Sequence, residues 1–170
     1  MSNHAQSGPI QPPLKIAGIR TARVPAPLPR PVHTASGTID RFPLVLIDVC
    51  TDAGGTGRAC AQFYLPELLP APEHAVASLA ALGIGLPLVP CDVHAHLVRS
   101  CRLFGMKGLL DTALAGLDMA PWYAWARARE EPLARALGAK LRPLRAHRSV
   151  GLYSAHEVLA IAENTLAAGF

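Results

Sequence analysis

The sequence predicts an α+β fold: a three-stranded antiparallel meander packed on a helical layer, with a single βα unit at the C-terminus. Three observations carry this. β-Branched and aliphatic runs separated by Gly- and Pro-rich turns fill the first third of the chain. Leucines and alanines at three-, four- and seven-residue spacing dominate the middle. After Leu141 there is room for one strand and one helix, the opening unit of a βα barrel, and a barrel needs about 250 residues to close.

The first strand is expected from Lys15 to Val24, ending at Pro25-Ala-Pro27, where donors are lost. Leu44 to Cys50 (LVLIDVC) reads as a buried strand. Asp52-Ala-Gly-Gly-Thr-Gly57 offers several positions free to take φ > 0, so a hairpin to a third strand, Arg58 to Phe63, follows. A helix is expected from Pro72 to Leu82, with Gly83 as its stop. Asp92 is a suitable N-cap for another from Val93 to Arg102.

The strongest helical signal is Leu109, Leu110, Ala113, Leu114, Leu117 and Trp125. Pro121 lies inside it and removes the bond to the Leu117 carbonyl, so a kink or break is expected near Leu117 to Met119. A short helix, Pro132 to Leu137, should end at Gly138. A strand from Leu144 to His147 and an Ala-rich helix from His156 to Ala168 complete the chain. Three divisions are expected: a disordered extension (1–14), a main domain (15–141) and the βα unit (142–170).

Of 170 residues, 51% are apolar and 16% charged, which excludes a disordered tail or a charge-dominated binder. No uninterrupted run approaches the roughly 18 apolar residues of a membrane span, because Gly83, Gly85, Pro87 and Pro90 break the best one. The N-terminal MSNHAQSGPIQPP has no apolar core of a secretory signal, so a cytoplasmic location is expected. The four cysteines, Cys50, Cys60, Cys91 and Cys101, are then expected as free thiols. The net charge is +4, and a basic cluster at Arg142, Arg145, His147 and Arg148 lacks interleaved aromatics. Nucleic-acid binding is not expected from it.

From Pro31 to Leu69 the chain reads PVHTASGTIDRFPLVLIDVCTDAGGTGRACAQFYLPELL: a flexible polar loop, a two-strand turn and a second loop. With DTALAGLDMAPWYAWARAREEPLARALGAKLRP and weaker matches between, this segment resembles the mandelate racemase/muconate lactonizing enzyme family of the enolase superfamily, on the mandelate racemase side. Glycines, Leu117-Asp118, Trp122, Pro132-Leu133 and Leu137-Gly138 fall in step from Ile16 onward. The resemblance implies an N-terminal capping domain over residues 15–141, followed by an incomplete start of a TIM barrel.

The family abstracts a proton α to a carboxylate, in racemases and acid-sugar dehydratases. An essential Mg²⁺ held by three acidic residues stabilises the enediolate, where positive charge meets developing negative charge. Those groups, the Lys-x-Lys strand and the His-Asp base belong to later barrel strands. The resemblance therefore implies no catalytic residue, metal ligand or cofactor in this chain, and Mg²⁺ and a carboxylate substrate only in a full-length parent.

Cap positions can be carried over. The resemblance assigns Val32, His33, Thr34, Ser36 and Ile39 to a first substrate-gating loop, Gln62 and Tyr64 to a second, and Ser149 to the active face of the first barrel strand. Ser36 and Gln62 are more polar than their counterparts in mandelate racemase, which favours a hydroxylated acid over an aryl one. Tyr123 in place of an Asp, Ala126-Arg127 in place of Gly-Lys, Arg148 and Pro121 depart from the family pattern. With the stop at Phe170, they point to a truncated gene or a fragment, inactive alone.

Other motifs have plainer explanations. His94 and His96 near Cys91 and Cys101 are two apart on a helix, whereas helical chelation wants three or four. Gly54, Gly55 and Gly57 suit a hairpin; no Lys or helix follows to make a phosphate loop. Trp122 and Trp125 read as core at the junction with the barrel. The alternative to a cap is a non-enzymatic interaction protein that self-associates, or docks on a separate barrel chain, through an exposed apolar face of the long helix.

Overall fold

The computed structural model describes residues 14–35, 37–148 and 153–169. Three strands, β1 (Ile16–Thr34), β2 (Gly37–Thr51) and β3 (Thr56–Gln62), form an antiparallel sheet in the order β1-β2-β3. After a single 3-10 turn at Pro66–Leu68 come α1 (Pro70–Ala81), α2 (Pro90–Ser100), α3 (Leu109–Ala128), α4 (Leu133–Ala136) and α5 (Ala155–Ala167). The α+β meander on a helical layer is as expected.

β1 does not stop at Pro25 but runs on through four prolines. It is an edge strand, so half of its backbone donors face away from β2 and are dispensable. Pro25 opposes Pro43, a pair in which neither residue can donate. The Pro43 carbonyl instead accepts from the Phe63 amide of the other neighbour, at 2.9 Å. Pro25 and Pro27, two apart, therefore turn their missing donors to the open side.

β2 is buried on one face only. Val45, Ile47 and Val49 have no solvent exposure, while Leu46 between them is exposed. On the outer face Asp48 pairs with Arg20 (3.0 Å) and Arg58 (3.6 Å) on the flanking strands. The largely apolar segment LVLIDV thus divides between a core face and an open one.

α3 lies along the inner face against β2 and β3, with α1 and α2 beside it. Leu114, Leu117, Ala120 and Ala124 enter the core with Val76, Leu79 and Leu97. The helix is continuous through Pro121, and the expected break is not seen. The proline ring is buried, and packing on the sheet and on two helices holds the chain across the lost hydrogen bond. Trp122 and Trp125 meet edge to face at 5.8 Å, both half-buried, with Trp125 packed against the core.

Asp92 is not the N-cap of α2. Val89 is, with an extended backbone imposed by the proline after it, and Pro90 takes the first helical position. Asp92 still suits the positive end of the helix from within the first turn. Leu14, expected in the disordered extension, belongs to the fold, since its carbonyl accepts from Leu88 at 2.6 Å and its side chain packs on the core.

The short α4 ends as predicted at Gly138, φ +82°. The strand expected from Leu144 to His147 is not formed; residues 141–148 are coil, with side chains exposed. Strand-like composition needs a neighbour to bond to, and none lies alongside among the described residues.

α5 opens with a capping box. The Ser154 hydroxyl accepts from the Glu157 amide, and the Glu157 carboxylate accepts from the Ser154 amide at 3.0 Å and hydroxyl at 2.7 Å. These bonds, with smaller contributions from Arg30 and His33, hold the Glu157 carboxyl below its usual value of 4.5. A carboxyl whose pKa falls on folding stabilises the helix above its unfolded value and loses that contribution as pH drops through the folded one. Amide exchange in α5 is therefore expected to accelerate below about pH 4.5 relative to α3. A Ser154→Ala chain with the same pH profile would show that the cap is not responsible.

Candidate functional site

The polar segment around residues 31–39 is not a loose loop. Val32 pairs with Ile39, His33 with Thr38 and Thr34 with Gly37, so the ladder continues to a tight hairpin tip. The Thr34 hydroxyl donates to the Gly37 carbonyl at 2.9 Å, and Gly37 takes φ +133°, which favours a residue without Cβ. His33 Nδ1 and Thr38 Oγ1 lie 3.0 Å apart across the strands.

The second wall comes from the exit of β3. Tyr64 and Leu65 precede the 3-10 turn, whose Leu68 amide donates back to the Leu65 carbonyl. Between these walls lies an open groove of about 710 Å³. Thr34 and Ile39 line it from the hairpin and Tyr64 from the opposite side, with Asp40, Arg41 and Glu67 supplying charge. Beyond Tyr64 a smaller apolar hollow of about 380 Å³ is bounded by Phe63, Leu65, Leu68, Pro72 and Leu109.

Of the carried-over positions the groove unites Thr34, Ile39 and Tyr64. Val32 is half-buried opposite Ile39, and His33 turns toward Tyr153. Gln62 is exposed at the end of β3, paired with Leu44. Ser36 and Ser149 lie outside the described residues. Asp40, Arg41 and Glu67 were not among the expected residues. Arg41 stands two positions after Ile39 on one strand, so period-2 alternation would have indicated it.

Residues 16–138 match the family model described as mandelate racemase / muconate lactonizing enzyme, N-terminal domain. The chain belongs to this family. Among solved structures it resembles an enolase from Bradyrhizobium complexed with magnesium and mandelic acid, at 34% identity and a TM-score of 0.85, covering 92% of this chain and 43% of that one. It is also similar to the L-Ala-D/L-Glu epimerase of Bacillus subtilis (strain 168), 28% identical over 165 residues, 92% of this chain and 43% of the epimerase. L-Talarate dehydratase from Polaromonas sp. JS666, complexed with Mg and L-glucarate, shares the fold at a TM-score of 0.79 and 18% identity, over 91% of this chain and 44% of the dehydratase. The chain thus spans less than half the length of these relatives, and the part it matches is the family's N-terminal domain.

Magnesium is present in two of those relatives. Among the described residues of this chain, no three His, Cys, Asp or Glu side chains converge to hold a metal ion. These described residues therefore do not fit a Mg²⁺ site. His94 instead lies 3.3 Å from Asp118, and Cys101 is buried while Cys91 is exposed. No helix among the described residues is long and apolar enough to cross a membrane.

Proposed function

We propose that this chain is the substrate-covering cap of an enolase-superfamily enzyme that abstracts a proton α to a carboxylate, and that it is inactive by itself. The observation that carries the reading is the groove: Thr34 and Ile39 on one wall and Tyr64 on the other, far apart in sequence, face one open space. Open on the remaining side, it suits a lid whose substrate is completed by another domain. The Bradyrhizobium relative holds mandelic acid, an aryl 2-hydroxy acid. Here Asp40, Arg41 and Glu67 beside Thr34 favour a hydroxylated acid without an aryl group instead. In a full-length context the enzyme would need Mg²⁺; this chain supplies gating residues and no catalytic ones.

Two measurements test this. The purified chain with Mg²⁺ in D₂O is expected to incorporate no deuterium at Cα of mandelate or acid sugars; incorporation would overturn its inactivity. Transplanting residues 31–41 and 62–67 into the Bradyrhizobium relative is expected to lower the ratio of its affinity for mandelate to that for hydroxylated acids without an aryl group. An unchanged ratio in a folded chimera would count against gating by these segments.

A second reading is favoured by the exposed Tyr64, Leu65, Leu68 and Leu109 around the apolar hollow, and by Met119 and Tyr123 exposed on α3. Such a surface suits self-association or docking on a separate barrel chain. A concentration-independent monomer by sedimentation, binding no ANS, would exclude self-association.

A further inference from the structure

We infer that Tyr153 is a positioning residue that anchors the β1–β2 hairpin tip and so sets one wall of the groove. The inference rests on the reading of that groove as the gating site. Between Pro27 and Val32 the register of β1 slips, with residues 28–31 of β1 set against Asp40 alone. Pro29 and Pro31 lie in this stretch, and the ladder lapses there as at a bulge. Beyond the lapse the tip retains three residue pairs, too few to hold a two-stranded ribbon in place unaided.

Tyr153, just before α5, supplies the missing support. Its hydroxyl donates to the carbonyl of Pro31 at 2.8 Å, across 122 residues of sequence and within the lapse itself. Its ring meets the His33 ring edge to face at 5.8 Å, and the Arg30 guanidinium carbon lies 5.8 Å from the ring centroid. His33 passes the constraint across the hairpin through Thr38. Residues 31 and 33 of β1 thus meet the anchor, while Thr34 and Ile39 border the groove. A wall held from behind keeps its shape with the groove empty, so less ordering is left for a substrate to impose.

Hydrogen exchange and NMR on the purified chain test the anchor without any substrate. Tyr153→Phe removes the hydroxyl and keeps the ring. Amides 32–39 are expected to exchange about two- to tenfold faster, the worth of one modest hydrogen bond, with 45–49 unchanged and the His33 ring-proton shifts retained. Tyr153→Ala is expected to speed exchange further and to move those shifts toward their unfolded values. Equal exchange of 32–39 in wild type and both variants would overturn the anchor, as would acceleration spread evenly into 45–49. Because no substrate is involved, failure here is distinct from an unchanged substrate ratio in the transplant.

Discussion

Gly57→Ala is expected to destabilise the fold by about 3 kcal/mol, at the upper end of ordinary overpacking. A Cβ at this position would fall on the Ala120 carbonyl oxygen, and within 2.6 Å of the Ala124 amide nitrogen and 2.7 Å of its Cβ. None of these atoms belongs to a side chain that can rotate away. Relief requires β3 to lift from α3, the helix that seals the inner face of the sheet. Against a typical total of about 5–15 kcal/mol, such a loss is large. Gly18→Ala is the matched control: it too is a strand glycine, but its added Cβ would meet no heavy atom within 4 Å. That variant should stay within about 0.5 kcal/mol of wild type or gain slightly. Urea unfolding followed by circular dichroism reads both. A Gly57→Ala midpoint as close to wild type as that of Gly18→Ala would show that the contact is easily relaxed.

This glycine marks where sequence reading reached its limit. Gly54, Gly55 and Gly57 look alike in a turn-rich run, and hairpin geometry accounts for Gly54, which takes φ +82°. Gly57 has no positive φ and is needed for a helix from the middle of the chain, a tertiary distance that spacing does not encode. The periodicity of α3 was legible because its apolar face is local information. The consequence of Pro121 was not, because a helix clamped along its length can tolerate a lost bond that would break it in isolation. The four prolines of β1 could have been read correctly, since their spacing of two is compatible with an edge strand. At the groove, the resemblance brought out Thr34, Ile39 and Tyr64. The register slip lies between β1 and its neighbour β2, and the tie to Tyr153 depends on a partner more than a hundred residues away; only the folded chain shows them.

Ile47→Ala is expected to cost about 2–5 kcal/mol, the range for removing a buried branched side chain. Ile47 is fully buried on the central strand. Its Cδ1 lies 3.1 Å from where a Cβ on Gly116 of α3 would stand, so β2 and α3 meet here at close quarters. A helix backbone this near the sheet has no long side chain to swing into the vacated space, so the site should collapse poorly and the loss fall in the upper half of the range. Ile47→Val, which deletes only Cδ1, should cost about 0.5–1.5 kcal/mol. The same geometry makes a sharper prediction about coupling. Gly116→Ala alone would press its methyl on Ala61 Cβ at 2.7 Å as well as on Ile47. In the Ile47→Val background one of those two clashes is gone, and adding Ala61→Gly removes the other. The cost of Gly116→Ala should therefore shrink stepwise across the three backgrounds, with coupling energies of about 0.5–3 kcal/mol between these touching sites. Strict additivity in urea unfolding would mean that α3 does not pack on β2 and β3 through these atoms.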